Sequence, residues 1–197
     1  MIKNLIKHTI LVTKHRWVVF KLCCKVGEPW RGFVHDLSKF SPTEFWESVK
    51  YYQGNKSPIP VARREKGFSD AWLHHKGRNK HHLEYWVDPR AKEYAAVVPY
   101  KYVAEMACDK MAASIIYNGK NWTQSDEYNY WLKEKEKTIL NPKVERFFDE
   151  LFKQVKENGL KETYTRKNLK KIYKTYCIDD KTKYICKVNT EWKVREE

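Results

Sequence analysis

The sequence predicts an all-α protein, a helical bundle with one small β-hairpin near residues 175–188. Three observations support this fold class. Apolar residues recur at helical spacing through most of the 197 residues. Capping residues, proline and glycine stand where the helices should begin and end. The last twenty residues differ, because YCI and KYICKV flank the turn signal DDKT, a pattern typical of a hairpin.

The first helices follow from apolar spacing and from capping residues. A helix is predicted over residues 2–26 and should end at Gly27. A short helix over 30–40 follows, and a third begins at Ser41 with Glu44 closing a capping box. The stretch GNKSPIPVARREKGFS, residues 54–69, contains two prolines and two glycines and is predicted to be a loop.

The later helices are predicted by the same signals. Residues 71–86 should be helical at their start, and Asp88-Pro89 has the pattern of a helix N-terminus ahead of a strong helix over 100–117. Further helices are predicted over residues 129–140, 144–158 and 166–176.

Composition limits the classes of function. The formal net charge of +14 favours anionic partners such as nucleotides, nucleic acid or anionic lipid, although a solvated lysine-rich surface explains it equally well. The five cysteines form no Cys-x-x-Cys pair, which argues against a disulfide framework. The N-terminal segment offers neither a signal-peptide run nor a membrane span. We therefore expect a cytoplasmic protein without a membrane partner.

The histidines carry the strongest chemical signal. All seven lie before residue 83, and they include two adjacent pairs and a His-Asp dipeptide: His8, His15, His35, His74, His75, His81 and His82. Packing alone explains such clustering poorly, whereas neutral imidazole is the commonest side-chain metal ligand. Imidazoles with a few carboxylates suit Mn, Fe, Co, Ni or Zn rather than Mg or Ca. The sequence thus predicts a site for one or two divalent transition-metal ions.

The order of these motifs resembles the HD-domain superfamily of metal-dependent phosphohydrolases. His35-Asp36-Leu37-Ser38-Lys39 matches its His-Asp-x-x-Lys form, and the segment 74–84 resembles an uncharacterised branch with an HHxxxNxHHxE signature. That branch also has a Glu-Met-x-x-Asp helix, seen here at 105–109. The resemblance covers about residues 8–115. The chain lacks the Gly-Tyr-Pro run of the nucleotide-signalling subtype, which counts against cyclic dinucleotides.

The resemblance implies a ligand set. The residues that would hold the first ion are His15, His35, Asp36 and Asp109. The additional histidines imply a second ion, held by His75, His81 and His82, with Asp36 able to bridge the two. His8 lies about 10 Å along the helix from His15 and is expected to contact substrate or a ligand instead. His75 is preferred to His74 on the resemblance alone, because helical spacing leaves both choices open.

Several other residues receive provisional roles. Glu105 faces the same way as Asp109, and would either orient a histidine or form an ordinary ion pair. Lys39 would contact a phosphate oxygen or protonate a leaving group, although lysines are common on this surface. Arg78 and Asn79, between the histidine pairs, are candidates for binding phosphate and positioning water. Glu44 is explained by its capping box.

The resemblance implies that residues 1–120 form an HD-like metal-binding core, with residues 121–197 as a helical extension packed on it. The expected activity is a phosphomonoesterase or phosphodiesterase reaction on a nucleotide-like anionic substrate, through metal-activated water. Two alternatives stay open. One is an HD-type di-iron oxygenase, whose ligand set is similar; the other is a nucleic-acid-binding protein with a structural metal.

Overall fold

The structure is a computed structural model that describes residues 2–54, 56–179, 185–188 and 191–194. Within these residues the chain forms a bundle of α-helices, which confirms the predicted fold class. The helices are α1 (Ile2–Val26), α2 (Pro29–Val34), α3 (Pro42–Lys50), α4 (Ile59–Lys66), α5 (Asp70–Arg78), α6 (Tyr100–Asn118), α7 (Asp126–Lys135), α8 (Pro142–Asn158), α9 (Leu160–Thr163) and α10 (Arg166–Tyr173).

Shorter elements connect or follow these helices. The 3-10 turns span Leu37–Phe40, Leu83–Trp86 and Gly119–Asn121, and a π-helical turn spans Lys174–Ile178. Two short strands, β1 (Ile185–Val188) and β2 (Glu191–Val194), pair antiparallel with Ile185 opposite Val194. The predicted hairpin is therefore misplaced: its first arm, residues 176–178, continues the helical path of α10. Short apolar runs do not distinguish a strand from a helix end.

Several predicted helix boundaries are confirmed by their caps. The hydroxyl of Ser41 accepts the backbone N–H of Glu44, and the side chain of Asn141 accepts the N–H of Lys143. Helix α8 ends at Gly159, which has a φ of 89° that an L side chain would adopt only with strain.

Two other predictions were wrong. Residues 54–69 were predicted to be a loop, but they contain α4. Pro60 is compatible with this helix because it lies in the first turn, where a backbone N–H has no intrahelical acceptor. Asp88 does not begin a helix. Its carboxylate accepts the N–H of Arg90 in a local turn, and α6 starts at Tyr100 after Pro99.

Helices α1 and α6 organise the bundle. Helix α1 packs against α2, α3, α6 and α10, and α6 also packs against α7. The approach of α2 to α1 requires Gly32, because a Cβ there would lie 2.6 Å from Cβ of Cys23. These contacts place the His-Asp dipeptide, which follows α2, between α1 and α6.

One hydrophobic core contains residues from both sides of position 120. It includes Val19, Cys23 and Met111, and on α8 Phe147 and Leu151, all without solvent exposure. The two-part division at residue 120 stays a prediction, and this shared core joins the two parts. No helix in the described part of the chain is long and apolar enough to cross a membrane.

Candidate metal centre

A tight turn after α2 carries the His-Asp dipeptide into the interior. Asp36 adopts a left-handed backbone conformation with a φ of 54°, which Asp tolerates better than most residues. Arg16 of α1 fixes the approach to this turn by donating hydrogen bonds to the carbonyls of His35, at 2.8 Å, and Phe33, at 2.9 Å. The side chains of His35 and Asp36 are both about 1% exposed. The turn thus buries two polar side chains side by side.

The first cluster joins this turn to α1 and α6. Nε2 of His15 lies 2.8 Å from Oδ1 of Asp109, and Nε2 of His35 lies 3.5 Å from the same oxygen. Nε2 of His35 is also 3.3 Å from Oδ2 of Asp36. One ligand atom from each of these four residues lies within 4.8 Å of every other. The four residues are those that the resemblance assigned to the first ion.

The second cluster lies on the other side of Asp36. Oδ1 of Asp36 is 3.3 Å from Nε2 of His75 and 3.1 Å from Nε2 of His81. Nε2 of His75 is 2.9 Å from Nε2 of His82. Helix α5 supplies His75, and the turn after it supplies the 81–82 pair, so the chain reverses between the two histidine pairs. Asp36 belongs to both clusters, one carboxylate oxygen facing each.

The unsatisfied atoms of the centre match what a metal ion would require. Nε2 of His35, Nε2 of His81 and Oδ1 of Asp36 are buried and make no hydrogen bond within the described residues. Buried polar atoms are rarely left in this state. Two ligands about 2.1 Å from one ion and at right angles to each other would lie about 3.0 Å apart. The observed 3.1–3.5 Å separations between these imidazole and carboxylate atoms are close to that value.

Glu105 lies behind two of the histidines. Its Oε1 is 3.1 Å from Nδ1 of His35 and 3.1 Å from Nδ1 of His81, while Oε2 accepts a 2.6 Å hydrogen bond from Arg31. Burial opposes its ionisation, but the two adjacent imidazoles outweigh burial and lower the pKa of Glu105 to about 2. The carboxylate therefore accepts the Nδ1 proton of His35 and lies against Nδ1 of His81, while both Nε2 atoms face Asp36 and Asp109.

Glu44 performs the same task for the second cluster. Its Oε2 lies 2.6 Å from Nδ1 of His75, and its Oε1 lies 2.6 Å from Nδ1 of His74. The capping-box explanation of Glu44 was incomplete: its N–H is capped by Ser41, but its carboxylate holds histidines instead of returning to the helix start.

The protonation pattern shows how strongly the carboxylates attract positive charge. Burial opposes the charge on His75, but Asp36 and Glu44 raise its pKa to about 9. Burial also opposes the charge on His35, but Asp36 and Asp109 outweigh burial and raise the pKa of His35. Burial likewise opposes ionisation of Asp36, but His35 and Lys39 hold its pKa well below the usual range. A metal ion would replace these imidazole protons, because a histidine must be neutral to bind it.

Two cavities reach the centre. The larger, of about 790 Å³, is lined on one side by Asp109 and the three histidines of the second cluster. Its other walls carry both basic and acidic residues: the cations are Lys39, Lys56, Arg64 and Lys110, and the acidic residues are Glu44, Glu84, Asp126, Glu127 and Glu134. The smaller, of about 150 Å³, is lined by His8, His15 and Lys39 among others. Nζ of Lys39 lies 2.6 Å from Oδ2 of Asp36, so this ammonium stands where both cavities meet the centre.

The remaining predicted residues lie around the centre. His8 packs edge-on against Phe45 and belongs to neither cluster; burial, and then the charge of Lys39, lower its pKa to about 4. Asn79 donates to the Ser38 hydroxyl at 2.8 Å and to the carbonyl of His75 at 2.9 Å, so it supports a ligand. Arg78 is exposed at the end of α5 and lines neither cavity.

Sequence reasoning missed three supporting residues. Arg31 holds Glu105, Ser38 lies 3.2 Å from Nδ1 of His75, and Glu44 bonds two histidines. Of the three, Ser38 lay inside a metal-site motif, between His-Asp and the motif lysine, and Glu44 lay in a capping box. The contacts of Arg31 with Glu105 and of Glu44 with the two histidines join segments that are far apart in sequence. Residue spacing does not reveal such contacts.

The fold and this centre define a helical protein with buried histidine–carboxylate clusters that could hold metal ions. The chain belongs to a family of unknown function, DUF5662, whose model matches residues 5–154. That range contains every ligand of both clusters. No curated protein and no solved structure matches the chain. The resemblance to HD-domain phosphohydrolases stays a prediction.

Proposed function

We propose that this protein is a metal-dependent phosphohydrolase, acting as a phosphomonoesterase or phosphodiesterase on a nucleotide-like anionic substrate. One observation carries the proposal: Asp36 joins two ligand clusters beside a cavity to which Lys39, Lys56 and Arg64 bring positive charge. The ligands would be His15, His35 and Asp109 on one side of Asp36, and the histidines at 75, 81 and 82 on the other. Their imidazole-rich chemistry suits Mn, Fe, Co, Ni or Zn.

The residues of the chain have distinct parts in this reaction. A bound divalent ion would lower the pKa of a coordinated water towards neutrality and so supply the nucleophile. Lys39, whose side chain is 35% exposed, is placed to bind a phosphoryl oxygen and to stabilise its charge as the bond to phosphorus forms. The carboxylates of Asp36 and Asp109 keep the Lys39 pKa raised against the effect of burial, so its charge persists at neutral pH.

Other residues position the ligands and the substrate. Glu105 and Glu44 hold the imidazole rings at their Nδ1 atoms. Lys56 and Arg64 line the same cavity and attract a phosphate ester from solution. Together with Lys39, these two cations support an anionic substrate at the metal end of the cavity.

The test is phosphate release under anaerobic conditions. Protein loaded with Mn or Co should release phosphate from p-nitrophenyl phosphate or nucleoside monophosphates, or a monophosphate from bis-p-nitrophenyl phosphate, and a chelator should abolish the activity. Lys39→Ala should lower turnover with metal content unchanged, whereas Lys66→Ala, on the surface of α4, should alter neither. An activity that requires O2 and iron and releases no phosphate would favour the oxygenase. Tight, salt-sensitive nucleic-acid binding that survives Asp36→Ala would favour the binding protein.

A further inference from the structure

Helix α7 forms one wall of the large cavity. This wall carries a carboxyl group that has no part in the proposed phosphate chemistry. The residue is Glu127, which is 4% exposed and lines the cavity. Its Oε1 is buried and makes no hydrogen bond with the described residues. A buried polar group without a partner costs stability that an apolar side chain of the same size would not. The position is therefore poorly explained by folding alone.

The charges around Glu127 leave it without a counterion. The ammonium of Lys110, on the neighbouring helix α6, pairs with Glu134 instead. Burial raises the pKa of Glu127 to about 8; Lys110 opposes this effect, while Glu134 and Asp109 add to it. At neutral pH the side chain is therefore mainly an uncharged acid, which offers one O–H donor and a carbonyl acceptor next to each other.

The cavity connects this acid to the candidate metal centre. Its lining includes His82 and Asp109 of the centre, Glu127, and the rings of Trp72 and Tyr130. A volume of about 790 Å³ lies within the range of about 300–1,000 Å³ that small-molecule sites occupy. Trp72 lies at the metal end against His82, whereas Tyr130 lies on α7, as Glu127 does. A ligand with its phosphate at Lys39 thus has room to extend along the cavity towards the carboxyl group of α7.

We propose that the carboxyl group of Glu127 binds the nucleobase of the substrate, through one donated and one accepted hydrogen bond to the edge of the base. Each common nucleobase has an adjacent donor and acceptor on its Watson–Crick edge, and proteins read isolated bases there while stacking aromatic rings on the faces. This inference rests on the proposed function, because it takes the phosphate to lie at the metal end. It adds the group that would recognise the base, and so distinguishes a nucleoside phosphate from a simple sugar phosphate.

The test compares Glu127→Gln with Glu127→Met. Glutamine keeps one donor and one acceptor, whereas methionine has a similar size and lacks strong polar groups. For metal-loaded protein we expect Glu127→Met to raise the KM of nucleoside monophosphates about tenfold or more. Glu127→Gln should retain most of the affinity. The KM of ribose 5-phosphate, which has no base, should be the same in wild type and both variants. Thermal melts check that each variant is folded.

The outcomes separate this inference from the proposed function. Phosphate release with the same nucleotide KM in wild type and Glu127→Met would overturn the role of Glu127 and leave the phosphohydrolase proposal standing. If no substrate releases phosphate, the proposed function fails, and calorimetry with adenosine, guanosine, cytidine and uridine decides the inference. Binding that Glu127→Met weakens and Glu127→Gln preserves supports it; absence of binding, or equal binding by all three proteins, overturns it.

Discussion

The interior of this protein has two regions that are equally buried and chemically opposite. Around α8 the core is apolar, with Phe147, Phe148 and Leu151 fully enclosed. Around Asp36 the interior contains imidazoles and carboxylates, and several of their nitrogen and oxygen atoms make no hydrogen bond in the described chain. Helix α6 borders both, with Met111 in the apolar core and Glu105 behind the histidines. The same helix thus separates a region that stabilises the fold from a region whose side chains could hold metal ions.

This difference has an energetic consequence. Burial of apolar surface stabilises the α8 region whether or not a ligand is present. Burial of carboxylates and imidazoles removes them from water, and their mutual attraction offsets that cost only in part. A bound metal ion would supply the missing partners, so part of its binding energy would appear as folding stability. Each of the following substitutions acts on one region and should leave the other largely unchanged.

The largest effect is expected at Asp36, the residue that both clusters share. Asp36→Ala should abolish tight binding of metal at both clusters, because each loses its common carboxylate. Elemental analysis after dialysis checks this expectation, with Asp88→Ala, an exposed loop residue, as the matched control. A variant that retained a full complement of metal and its activity would refute the assignment of Asp36.

A comparable substitution in the apolar region should act on stability alone. Leu151→Ala removes a fully buried side chain and should lower the free energy of unfolding by about 2–5 kcal/mol. Leu132→Ala on α7, where the side chain is 36% exposed, should cost much less. Urea denaturation measures both, and metal content per folded molecule should equal that of wild type. Loss of metal from folded Leu151→Ala protein would show that the two regions are coupled.

The next effect concerns the carboxylate behind the histidines. Glu105→Gln keeps the shape of the side chain but weakens its hold on His35 and His81, so metal affinity should fall about 10- to 100-fold. Glu65→Gln, on the exposed surface of α4, is the control. Competition with a chelator of known affinity measures the change. If Glu105→Gln binds metal with unchanged affinity, Glu105 does not position the ligands and only forms an ion pair with Arg31.

The predicted features were those carried by local patterns. The starts of α3 and α8 could be predicted from the capping residues Ser41 and Asn141, because a cap acts within one helical turn. The histidine motifs identified residues that the structure brings together across about 90 positions, from His15 to Asp109. Here the resemblance supplied the connection between segments, since spacing alone placed His74 and His75 equally well. The structure favours His75, because its Nε2 faces Asp36.

The features that local patterns missed depend on contacts between distant segments. Glu44 satisfied a capping rule, and nothing nearby in the chain indicated that α5 would place two histidines against its carboxylate. Arg78 lay between motif histidines, yet the end of α5 turns it towards solvent. Glu127 had no motif at all. Its significance comes from burial without a partner, which only the packing of α7 against α6 creates.

The smallest predicted effect tests the buried acid of α7 by its dependence on pH. An unfolded chain holds this carboxyl at its ordinary pKa of 4.5, whereas the folded protein raises the pKa to about 8. Between these values the folded state binds a proton that the unfolded state has lost, so stability falls as pH rises. The slope should be about 1 kcal/mol per pH unit, and it should disappear above pH 8.

Glu127→Gln removes this titration while keeping the shape of the side chain. All other groups titrate alike in the two proteins, so their contributions cancel in the difference between the two free energies of unfolding. Measured by urea denaturation of metal-free protein at pH 5.5, 6.5 and 7.5, the advantage of the variant over wild type should therefore grow at each step. A difference that stays constant would mean that Glu127 is ionised throughout, and that the α7 wall of the cavity is more polar than its burial implies.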